Sequence, residues 1–165
     1  MKTLPYENVV AAKFCCHYLA HSIMHELMEY IKVGIVEDDT IIRSSLVQCL
    51  DMYPSMECAF AVDSVEASLE YVSEYGTQVP DVIILDIGLP GLTGLQDIRP
   101  LRDRVPESDI IMLTTYDDGE IIFEALCNGA CSYISKKRPL KTIMEAVTTI
   151  YRGNHICRHL LLEKW

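Results

Sequence analysis

From residue 31 onward the chain alternates short β-rich runs with stretches of helical periodicity. Residues 32–36 predict a strand. A helix follows, capped at Asp39 or Thr40, with Ile42, Leu46, Cys49 and Leu50 on one face. Tyr53-Pro54-Ser55 breaks it, and residues 57–61 predict a second strand. Ser64 opens a second helix through Val65, Leu69 and Val72, and Gly76 closes it. Residues 82–85 are apolar without interruption, the signature of a central strand buried on both faces; residues 110–113 repeat it and 132–135 form a shorter version. Helical stretches begin near Gly94 and Gly119. A last helix is expected from about Pro139, a favourable first-turn proline, to Tyr151, with a stop at Gly153.

Five strands alternating with five helices across short loops predict an α/β fold, a doubly wound parallel sheet covered on both faces. Such a sheet gathers its functional loops at the carboxyl ends of the strands. Pro100 falls inside the third helix and should kink or shorten it. The expected domain spans 30–153, with a tail or linker over 154–165. Ahead of it, residues 1–29 carry apolar residues near helical spacing (Val10, Phe14, Tyr18, Met24, Met28) and predict an additional N-terminal helical segment.

That segment is interrupted by Lys13, His17, His21, His25, Glu26 and Glu29, too often for a membrane span or a signal-peptide core. At 165 residues the chain suits one domain with a sizeable core. Its net charge of −10 repels phosphate backbones and argues against nucleic-acid binding by this piece itself. The seven cysteines lack C-x-x-C spacing and read as reduced thiols, so the chain is expected in the cytoplasm, without a membrane partner.

The charged residues concentrate where the predicted strands end. The first strand runs into Glu37-Asp38-Asp39, the third into Asp86, the fourth into Thr114-Thr115, and the fifth ends near Lys136. In a doubly wound sheet these ends are neighbours, so carboxylates, a hydroxyl and an ammonium converge on one crevice. Carboxylates packed together repel and call for a hard cation. Mg2+ is the natural choice, since it takes a few carboxylate oxygens plus water and bridges to phosphate. An aspartate beside such a metal can attack phosphorus and carry an acyl phosphate, while a lysine and a hydroxyl bind the new oxygens.

Four blocks, IVEDD at 35–39, DVIILDIGLPGLTG at 81–94, IIMLTTYDD at 110–118 and GACSYISK at 129–136, resemble the signature motifs of the response regulator receiver family. The resemblance covers about residues 31–153. It implies a flavodoxin-like sheet of strand order 2-1-3-4-5 and phosphorylation of Asp86 by a partner histidine kinase. By the same resemblance Asp38 is a direct metal ligand, Glu37 acts through water, and the main-chain carbonyl of Gly88 completes the protein ligands. Thr114 matches the switch hydroxyl, Tyr133 the switch aromatic and Lys136 the phosphate-binding lysine. LDIGLPGLTG and LTTYDD look most like regulators with a C-terminal helix-turn-helix. This implies DNA contact only through an output domain absent from this chain, and leaves a homodimer open. The sequence departs from the family where Lys137, not proline, follows Lys136, and where Ser132 and Ser135 replace a glycine and an apolar residue.

Plainer readings stand beside these. Asp39 reads as a helix N-cap rather than a third ligand, and Tyr133 also suits an ordinary half-buried strand position. His17, His21 and His25 could chelate zinc or nickel, yet four-residue steps drift around a helix, which favours a mixed helical face. For the whole domain, the alternatives are a receiver-like interaction module that takes no phosphate and an aspartate-nucleophile phosphohydrolase. Gly88 stands where the hydrolase would carry its second Asp.

Overall fold

The structure is a computed structural model that describes residues 30–74, 79–89, 98–115 and 119–162, with side chains described as far as Gly153. The chain divides between Tyr30 and Ile31 into two units. Residues 1–29, and with them the expected N-terminal helix and the histidine row, lie outside the described residues, as do Gly76 and Gly94.

The second unit reads β1 (Ile31–Val36), α1 (Thr40–Asp51), β2 (Met56–Val62), α2 (Val65–Glu74), β3 (Val82–Asp86), α3 (Ile98–Arg104), β4 (Asp109–Thr114), α4 (Gly119–Cys127), β5 (Ser132–Ser135) and α5 (Leu140–Leu162). The strands form one parallel sheet of order β2-β1-β3-β4-β5, as the family resemblance implied. The capping signals read from sequence are in place. The Asp39 carboxylate accepts hydrogen bonds from the Ile41 and Ile42 amides at 2.8 and 3.1 Å, and the Ser64 hydroxyl oxygen accepts one from the Ala67 amide at 3.3 Å.

The uninterrupted apolar runs became the centre of the sheet, and every residue of β3 and β4 is buried. Alternation then sorts side chains to two layers. Val36, Ile83, Leu85, Ile110 and Met112 face Val65 and Val72 of α2, Ile98 and Leu101 of α3, and Ala125 of α4. Val33, Ile35, Ile84, Ile111 and Leu113 face Leu46 and Leu50 of α1, and Ile143, Met144 and Val147 of α5. Each fully buried aliphatic side chain stabilises by roughly 1.5–3 kcal/mol, so both layers hold the strand ends in fixed register.

On the first layer Phe60 lies over β1. A Cβ at Gly34 would stand 2.5 Å from Phe60 Cζ, so only glycine admits the ring there. The register shifts at this point: Val33 pairs with Cys58 and Gly34 with Phe60, leaving Ala59 as the extra residue on β2.

One expectation at a helix changes. α5 does not stop at Gly153; it continues to Leu162. A glycine ends a helix by adopting a left-handed φ, and Gly129 alone among the described residues has a positive φ. In a helix interior it costs only about 1 kcal/mol relative to alanine, which a long helix absorbs. Of α3 the structure describes seven residues, and Pro100 is the third of them. Among the described residues there is no cis peptide bond, and Lys136–Lys137 is trans. No helix among them is long and apolar enough to cross a membrane.

Candidate functional site

Register alone brings the candidate residues together. Val36 pairs with Leu85, so Glu37 follows alongside Asp86. Asp86 pairs with Leu113, one residue before Thr114. Thr114 pairs with Ser135, and Lys136 comes next. Residues up to 99 positions apart thus form one row at the carboxyl ends of four neighbouring strands.

At the centre of the row is an ammonium between two carboxylates. Lys136 Nζ lies 2.9 Å from Asp86 Oδ2 and 2.7 Å from Glu37 Oε2, and donates a hydrogen bond of 2.9 Å to Glu37 Oε1. The group is nearly dry, with 11% of the Lys136 side chain exposed, 5% of Asp86 and 1% of Glu37. Asp86 Oδ1 accepts from the Gly88 amide at 3.0 Å, and Glu37 Oε1 also accepts from the Asp39 amide at 3.3 Å. A side chain at Gly88 would crowd this carboxylate, since its Cβ would lie 3.3 Å from Asp86 Oδ2.

Burial pushes the Glu37 carboxyl above its usual range. The Lys136 hydrogen bond and charge oppose that rise, and the Asp86 charge adds to it. For Lys136 burial acts downward, but hydrogen bonds to Glu37 and Asp86 and their charges together carry it above the ordinary lysine value. The ammonium is therefore held charged.

Carboxylate oxygens of Glu37, Asp38 and Asp86 all lie within 4.8 Å of one another, with Asp38 at the exposed mouth. Three carboxylates against one ammonium leave two negative charges in excess. Glu37 Oε2 is buried without an aligned hydrogen-bond donor, although the ammonium is close. All-oxygen donors, a doubly negative excess and an orphaned buried oxygen fit a small, hard divalent cation.

The remaining candidates flank this group. Thr114 is fully buried at the end of β4, and its carbonyl accepts from the Lys136 amide at 2.6 Å. Tyr133 is half-buried on β5 and packs against the layer formed with α2, α3 and α4. Asp39 is exposed and spends its carboxylate on the helix cap; the Ile42 and Ile41 amides hold its pKa below the ordinary value. Beside Lys136 a groove opens between α1 and α5, lined by Ile41, Ile42, Leu140 and Ile143.

One participant was not singled out from sequence. Arg43, in the first turn of α1, turns back and donates through Nη1 to the main-chain carbonyls of Glu37 (2.5 Å) and Asp38 (3.1 Å). The available signal was a basic residue one helical turn after an acidic N-cap, but its target became visible only with the helix in place.

Comparison with known proteins gives a consistent picture. The response regulator receiver domain family matches residues 33–148. The oxygen regulatory protein NreC of Staphylococcus aureus is 37% identical over 125 residues, which is 74% of this chain and 56% of NreC. The chain thus spans about half the length of the curated relatives it matches. Among solved structures, the signal receiver domain of the response regulator NarL from Mycobacterium tuberculosis is 26% identical with a TM-score of 0.68, covering 76% of this chain and 98% of that one. A DNA-binding response regulator of the LuxR family from Staphylococcus aureus is also 26% identical, with a TM-score of 0.65 and coverage of 73% and 98%.

Proposed function

This chain belongs to the response regulator receiver family, and from that premise we propose that it accepts a phosphoryl group on Asp86 from a histidine kinase and passes the signal on as a change of surface. The observation that carries the reading is the Lys136 ammonium held 2.9 Å from Asp86 Oδ2 in a nearly dry acidic crevice. In the transfer an Asp86 carboxylate oxygen attacks the phosphorus of the phosphohistidine. The P–O bond forms as the P–N bond breaks, and the imidazole leaves with the electron pair and takes a proton. Lys136 offsets the negative charge on the phosphoryl oxygens, and the Gly88 amide steadies the carboxylate oxygen it already binds. Glu37, Asp38, Asp86 and the Gly88 carbonyl would hold Mg2+, which supplies Lewis-acid neutralisation of the transferring group. Hydrolysis of the acyl phosphate resets the site, so the chain catalyses only its own modification and its reversal.

Thr114, buried next to Asp86 in the strand row, is the hydroxyl that would turn toward the phosphoryl oxygens. Half-buried Tyr133 would then follow into the space released, biasing the surface of α4, β5 and α5 between two states. The output proposed is transcription control in the cytoplasm, through a DNA-binding domain and a homodimer, in keeping with the DNA-binding LuxR-family neighbour. Incubation with acetyl phosphate and Mg2+, followed by mass spectrometry, should add one phosphoryl group that Asp86→Asn abolishes. An unmodified parent chain would instead mark an interaction module that takes no phosphate, and equal labelling of Asp86→Asn would refute the assignment.

A further inference from the structure

We infer that Arg43 is a positioning residue of this site, holding the Glu37–Asp38 main chain in the shape that receives the divalent cation. The inference rests on the metal-dependent reading given under Proposed function.

The segment from Glu37 to Asp39 leaves the sheet and enters α1 within three residues, so its carbonyls leave the strand ladder before the helix can use them. Its remaining ties are accounted for. The Glu37 amide donates to the Val62 carbonyl at 3.0 Å, and the Asp39 carbonyl accepts the first helical bond, from the Arg43 amide at 2.9 Å. The carbonyls of Glu37 and Asp38 are taken by one nitrogen of the Arg43 guanidinium. Arg43 itself is anchored by α1, whose Leu46 and Leu50 are buried in the sheet layer. A rigid helix thereby reaches back over its own N-terminus and pins the two residues whose carboxylates form the acidic pair.

Such a pin has a specific burden to carry. The Glu37, Asp38 and Asp86 oxygens crowd within 4.8 Å and repel, and of the three Lys136 pairs with Glu37 and Asp86. Repulsion therefore drives Asp38, at the exposed mouth, away from the cluster, and the main-chain bond from Arg43 resists that drift. Groups that orient metal ligands without touching the metal commonly change affinity by about 10–100-fold when removed.

The sign of the effect separates positioning from charge. A guanidinium close to the cluster is a positive charge that disfavours a cation, so electrostatics alone predicts tighter binding when Arg43 is neutralised. Positioning predicts weaker binding. Isothermal titration of the full chain with Mg2+, repeated with Mn2+ followed by its paramagnetic resonance, should show Arg43→Ala weakened by about 10-fold. Arg43→Lys keeps the charge but lacks the planar fork, and should fall between parent and Arg43→Ala. A melt in EDTA identifies any variant that fails to fold; Arg43→Gln, neutral and still able to donate, then takes the place of Arg43→Ala and should also bind more weakly than the parent. Affinity in the neutral variants equal to or tighter than the parent's overturns the inference while leaving the site reading intact. A parent chain that binds neither ion removes both.

Discussion

Lys136 and Asp86 form an ion pair of 2.9 Å between two strands that are not neighbours in the sheet, β5 and β3, separated by β4. The long lysine side chain reaches from the end of β5 to two carboxylates at once. Among the described residues this ammonium is the cation that pairs with both acids.

Removing it should therefore be costly. Lys136→Met leaves Glu37 and Asp86 buried with no counter-charge between them, a situation that costs on the order of 3–5 kcal/mol. Urea unfolding in EDTA measures the loss. Burial already raises the Glu37 carboxyl pKa in the parent, and losing the lysine removes the main opposing influence. The folded variant then binds a proton that the unfolded chain does not, so its stability should recover as pH falls through the carboxylate range and decline as pH rises. A variant equally stable at all pH values would show that the pair is not buried in solution.

Exposed Asp38 and buried Asp86 should respond differently to neutralisation. Asp38 is exposed and adds negative charge without sharing the lysine, so Asp38→Asn should raise the melting temperature in EDTA by ~2–4 °C, the shift expected of about 1 kcal/mol at this chain length. Asp86→Asn gives up the Lys136 pair and should produce no such rise. Mg2+ should stabilise the parent more than either variant. Thermal melts with and without the ion test both statements; a lower melting point for Asp38→Asn would make Asp38 part of a structural network instead.

Gly34 gives a prediction away from the site. Gly34→Ala places a methyl group 2.5 Å from Phe60 Cζ and should destabilise by about 1–3 kcal/mol, the usual cost of overpacking. Phe60→Leu shrinks the obstacle, so the double variant should lose less than the two single losses combined. Additive losses in equilibrium unfolding would show that the ring does not press on β1.

Much of this was legible in the sequence because the signals were local. The apolar runs at 82–85 and 110–113 announce strands buried on both faces, and Asp39 and Ser64 announce helix starts with bonds their own side chains make. Placing chemistry at the strand ends needed only the alternation of strands and helices, and the register then brought Glu37, Asp86, Thr114 and Lys136 together. The features that escaped depend on distant geometry. Gly153 looks like a helix stop, yet a glycine turns left-handed only where the packing of its surroundings favours ending the helix there. The Arg43 bonds depend on the phase of α1 relative to the preceding loop, and the need for glycine at 34 depends on Phe60 arriving from another strand. That Glu37 rather than Asp38 shares Lys136 with Asp86 is likewise a matter of which carboxylate faces inward.

The position of Lys136 in the sheet has one more consequence. Asp86 ends β3 at the centre and the acidic pair follows β1, which is flanked on both sides, whereas Lys136 follows β5, a four-residue strand that among the described residues pairs with β4 alone, at the edge of the sheet. Edge segments of this kind detach at a smaller free-energy cost than the middle of a sheet. The anionic half of the site is thus built into the most persistent part of the molecule and its positive counterpart into a part that can fray. When that fringe opens, Glu37 and Asp86 lose their ammonium together while the central strands and the crevice they frame stay in place.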